Sequence, residues 1–71
     1  MMNVLVFKTS VKNETQIRQL QPKLDNLINA EENWNFDLED CDNILRFETR
    51  KLDAENILRT LKNKGYSCEE L

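Results

Sequence analysis

The apolar residues of this chain change period along its length, and each change marks an element. Asn3 to Thr9 reads NVLVFKT, a short run rich in Val, Leu and Phe that suits a strand with apolar residues on both faces. From Glu14 the period lengthens. Ile17, Leu20, Leu24, Leu27 and Ile28 follow at intervals of three, four, three and one, which is one stripe of an amphipathic helix. Pro22 falls inside that stripe, removes a backbone donor and crowds the preceding turn, so a kink or loosening is expected there. Two short helices broken at Gln21 are the alternative. Trp34 to Asp40 alternates strictly, with Trp34, Phe36 and Leu38 on a dry face and Asn35, Asp37 and Glu39 on a wet one. A polar turn, DCDN, leads into Asn43 to Thr49, the return strand of a hairpin. There Leu45 and Phe47 point to the core, and Ile44, Arg46 and Glu48 point away.

The second helix has the clearest punctuation. Asp53 is a natural N-cap, and Leu52 before it is placed to staple onto Ile57. Ala54, Ile57, Leu58 and Leu61 make its buried stripe, Arg59, Lys62 and Lys64 complement the dipole, and Gly65 supplies a left-handed stop. The closing YSCEEL fits a short strand or a tail. The order strand, helix, strand, strand, helix, strand predicts an α+β domain. Two helices cover one face of a four-stranded antiparallel sheet, with strand order 4-1-3-2 and the first and third strands central. This is the ferredoxin-like βαββαβ arrangement, and right-handed crossovers fix it.

Length and charge narrow the function. A chain of 71 residues makes one domain, 1–71, because it cannot form two cores. Ten Lys and Arg against thirteen Asp and Glu give a net charge of −3, with acids gathered at Glu31, Glu32, Asp37, Glu39, Asp40 and Asp42. No basic stripe is visible for nucleic acid, and an anionic membrane surface is disfavoured for the same reason. The opening MMNVLVFK lacks the basic region, apolar length and cleavage site of a signal peptide, so a cytoplasmic location is expected. Cys41 and Cys68 lack the spacing of a zinc or redox pair. They are expected at opposite sheet edges, as small hydrophobes too far apart for a disulfide or a shared metal.

The stretch FKTSVKNETQI, from Phe7 to Ile17, joins the first strand to the first helix. In length, in element order and in the pair Gly65–Tyr66 the chain resembles the heavy-metal-associated domain of soluble copper chaperones and metal-transporting P-type ATPases. That family carries G-M-T-C-x-x-C at this junction. Counting back from Ile17 places Thr9 at the motif threonine, Ser10 at the first cysteine and Asn13 at the second. The resemblance therefore implies the fold without its two thiolates. Serine and asparagine are hard neutral ligands for which a soft ion has little affinity. No cofactor is expected.

Several readings of this loop remain open. Asn13 with Gln16 has the form of a capping pair, and Ser10 is suited to fold back on its own loop backbone. Lys8, Thr9, Ser10, Lys12 and Asn13 could instead hold an anion weakly at the helix start. Metal handling through some other ligand set is a further alternative. Catalysis is not expected, since the chain has no histidine, no activated cysteine and no glycine-rich phosphate loop. The remaining class is contact with an unknown protein partner or self-association. Val4, Val6 and Ile44, with Leu71, are placed on the sheet face the helices leave uncovered, and the edge strands are open to pairing.

Overall fold

A computed structural model describes residues 2–39 and 42–71 of the chain. In order they form β1 (Asn3–Thr9), α1 (Glu14–Asp25), β2 (Asn33–Asp37), β3 (Ile44–Thr49), α2 (Ala54–Asn63) and β4 (Cys68–Glu70). The strands make one antiparallel sheet in the order β2-β3-β1-β4, the expected ferredoxin-like order counted from the other edge. The last six residues thus contain a closing strand and not a loose tail.

Only one side of the sheet is dry. Leu5, Phe7 and Thr9 of β1 lie beside Phe47, Leu45 and Cys68, and with Trp34 and Phe36 they form the helix-covered side. Phe7, Leu45 and Phe47 are fully buried there against Val11, Leu20, Leu24, Ile57 and Leu61. A chain this short has apolar side chains enough for a single core layer, so the other face meets solvent.

Local chemistry sets the ends of the elements. α1 begins where the Asn13 side chain accepts the Gln16 N–H. It runs unbroken through Pro22, so the helix does not split at Gln21. Pro22 sits in the last turn, where its missing N–H leaves only one intrahelical bond unmade. Leu27 and Ile28 lie beyond the helix end but keep the apolar stripe going. A tighter turn carries them, with Leu27 N–H donating to Leu24 O at 3.1 Å, and both still pack against the core.

β2 is shorter than the alternation predicts and stops at Asp37. Its carboxylate accepts the Glu39 N–H at 3.2 Å, a side-chain turn that diverts the backbone from the ladder before Leu38 can join. Likewise β3 starts at Ile44 because Asn43 adopts a left-handed φ of 50°, which Asn tolerates. α2 ends in a Schellman turn. Gly65 at φ 89° donates to Lys62 O and Tyr66 N–H donates to Leu61 O, each at 3.0 Å.

At the far pole of the sheet Glu32, one of the gathered acids, is buried and joins two loops. Its carboxylate accepts Thr49 Oγ1–H at 2.6 Å, the Arg50 N–H and, at 3.1 Å, the Asn29 N–H. The Thr49 hydroxyl bond, then the Arg50 and Asn29 amides, lower its pKa from 4.5 to about 2, with burial opposing them. A carboxylate with a depressed native pKa stabilises the fold above its ordinary pKa, and that contribution is lost as pH falls from about 4.5 through about 2. Glu32→Gln is therefore expected to flatten the acid limb of a stability-versus-pH curve in that window. Equal steepness in wild type and variant would contradict the clasp.

Candidate functional site

The loop from Thr9 to Asn13 is closed by its own hydrogen bonds. Thr9, buried at the end of β1, donates its hydroxyl to Asn43 O at 2.8 Å and accepts the Val11 N–H at 3.2 Å. Its N–H donates to Asp42 O at 3.3 Å. One residue thus ties the β2–β3 loop to the start of the β1–α1 loop.

Ser10 does not fold back on its own loop. It faces Ser67, donating its N–H to Ser67 O at 3.1 Å and accepting the Ser67 N–H on its hydroxyl at 2.8 Å. The antiparallel register of β1 and β4 brings the two serines opposite each other, one step beyond Thr9 and Cys68. Asn13 and Gln16 are the expected capping pair with a small displacement. Asn13 Oδ1 accepts the Gln16 N–H at 2.9 Å, while Gln16 Oε1 accepts the N–H of Lys12 at 2.7 Å.

These bonds engage several of the groups that an anion site would use. An anion site at a helix start needs backbone N–H groups aimed outward. Those of Ser10, Val11, Lys12 and Gln16 are already given to Ser67, Thr9, Gln16 and Asn13. The Lys8 ammonium lies 3.6 Å from the Asp42 carboxylate, which offsets its charge. Lys12 is exposed on the loop surface. Lys8, Thr9, Ser10, Lys12 and Asn13 thus lie together at this junction, where Thr9 and Ser10 fasten segments and Asn13 caps the helix.

Cys68 is half-buried against the core, where desolvation pushes its pKa up to about 11 and keeps it protonated. Cys41 lies outside the described residues, so its expected place at the opposite edge is not among them. Among the described residues no group of three or more His, Cys, Asp or Glu side chains converges as a metal site does. No described helix is long and apolar enough to cross a membrane.

On the uncovered face the register sets Val4 beside Glu48, Val6 beside Arg46 and Lys8 beside Ile44. Val4 is 57% exposed and Val6 is half-buried. Ile44 is only 6% exposed, which removes it from the expected apolar patch. It is flanked by Lys8 and Asp37 in the sheet, next to the Lys8–Asp42 ion pair, and it stands apart from the main core cluster. Leu71 is 67% exposed and its N–H donates to Val6 O, placing it beside Val6.

Two features here escaped sequence reasoning: the Ser10–Ser67 clasp and the Thr9–Asn43 bond. Both join residues 57 and 34 positions apart, and nothing local announces them. Asn13→Ala should lower stability by about 1 kcal/mol in urea unfolding, the usual cost of a lost N-cap. A change of a few tenths or less would show that the cap is idle. Compared with family models, curated proteins and solved structures, the chain matches none.

Proposed function

We propose that this chain is a small non-catalytic domain of the heavy-metal-associated kind, without that family's paired cysteines, acting in the cytoplasm through protein contact. The observation that carries this reading is the one-sided sheet. Both helices cover one face, and the other presents Val4 and Val6 between the charges of Glu48 and Arg46. An apolar strip with a charged border is the usual make-up of a contact surface.

Further support comes from what the other groups are doing. Ser10 and Asn13, the positions equated with cysteines, are spent on Ser67 and on the helix cap. The Glu32 carboxylate is committed to Thr49, Arg50 and Asn29, and burial keeps the Cys68 thiol protonated. Neither is poised as a base or a nucleophile. The dent between the helices, lined by Lys23, Thr60, Asn63 and Lys64, has a volume of about 290 Å³ and sets no carboxylate or thiol beside its two lysines.

The opposing readings are metal carriage through other ligands and anion binding at residues 8–14. Backbone amide NMR of the reduced chain separates them, with Cu(I), Zn(II) and inorganic phosphate added in turn. Flat responses at Lys8 to Glu14 are expected in all three titrations. Saturable shifts there with either metal would overturn the metal-free reading, and with phosphate they would restore the anion loop.

A further inference from the structure

The direction of each backbone group in the sheet can be followed from strand to strand. Val6 O accepts from Leu71 and Ser10 N–H donates to Ser67, so even-numbered residues of β1 turn their backbone groups toward β4. Thr9 N–H donates to Asp42 on the other side, as odd-numbered residues must. Leu5 and Phe7 therefore bond to Phe47 and Leu45, which leaves Ile44, Arg46 and Glu48 of β3 facing β2. Their partners Asp37, Asn35 and Asn33 face back. What remains is Trp34 and Phe36, whose N–H and C=O groups point out from the edge of the sheet.

Among the described residues this edge has few of the usual protections, Asp37 at its end being the one charge of the strand. Edge strands are normally blunted by Lys, Pro or a bulge, and β2, with the sequence NWNFD, has none of them. The opposite edge is guarded. β4 is three residues long, and pairing it with itself about Glu69 would set that carboxylate against its own copy.

We propose that β2 pairs with β2 of a second copy, antiparallel about a two-fold axis at Asn35, joining the two sheets into one. The occupant follows from the self-complementarity of the strand. Outward backbone groups must meet outward groups, so Trp34 of each copy lies opposite Phe36 of the other. With the axis at Asn35 all five residues of β2 are used. On the uncovered face Asn35 meets Asn35, and Asp37 meets Asn33, so no like charges oppose each other. On the helix side the edge-to-face pair of Trp34 and Phe36, 5.9 Å apart, continues across the axis as a row of rings.

There is room beside that row. A depression of about 360 Å³, lined by Gln21, Asp25, Ile28, Glu32, Asn33 and Trp34, opens on this flank, where Phe36 of the second copy arrives. Trp34 is held ready by its indole N–H, which donates to Asp25 Oδ1 at 2.9 Å. A pairing of this size lies at the low end of specific interfaces, so the dimer forms reversibly.

The inference rests on the protein-contact reading and names its partner, and charge exchange tests it. Sedimentation of the reduced chain from micromolar to millimolar concentration should show a reversible monomer–dimer equilibrium. Asn35 is exposed, so Asn35→Asp and Asn35→Lys should each fold. Each alone should weaken association at least about tenfold, because like charges then meet at the axis. An equal mixture of the two variants should recover it. A monomer at every concentration, or a dimer that neither variant weakens, would overturn the pairing. A dimer abolished by Val6→Lys and untouched by the Asn35 variants would also overturn it, while leaving the open-face reading in place.

Discussion

Everything in this fold follows from having one layer of core to share between two helices and a sheet. Phe7 and Phe47 occupy the centre of that layer, fully buried beneath Leu20, Leu24, Ile57 and Leu61. Apolar residues are too few for a second layer, so one face of the sheet stays in water. Among the described residues no further strand pairs with the outer edge of β2, which lies at one end of the order β2-β3-β1-β4. The surfaces on which the functional proposals rest are consequences of how little apolar surface the chain has to bury.

The two poles are fastened by polar groups. At one, Thr9 holds the β2–β3 loop and Ser10 clasps Ser67, so the loop beside the helix start is tied to both neighbouring segments. At the other, the Glu32 carboxylate gathers amides from two loops and one hydroxyl. Buried polar groups that are fully paired specify a single arrangement at small net gain in energy. The groups named at each pole are engaged with one another within the chain.

Much of the fold was legible in the sequence because its signals are local. The shift from the strand period of NVLVFKT to the helical spacing of Ile17, Leu20 and Leu24 located the first crossover, and Asn13, Asp53 and Gly65 marked helix ends where the backbone demands such residues. What was illegible was set by distant partners. Glu32 looks like any surface acid until Thr49, seventeen positions on, arrives beside it. Ile44 has the right parity for the wet face, yet it is buried in its place between Lys8 and Asp37 of the two neighbouring strands. Alternation continues past Asp37, but the side chain of Asp37 turns the backbone away, so β2 is shorter than its pattern. At the loop, Asn13 and Gln16 could be read as a cap, whereas the Ser10 bond to Ser67 needed the β1–β4 register.

The proposed self-pairing uses the backbone of the β2 edge, while the β1–α1 loop ties strands and a helix cap together. Amide hydrogen exchange measured residue by residue, in dilute and in concentrated solution, tests that pairing most directly. Asn33, Asn35 and Asp37 should be protected at both concentrations, while Trp34 and Phe36 exchange fast when dilute and slow down as concentration rises. Exchange at Trp34 and Phe36 that stays equally fast in both solutions would contradict it.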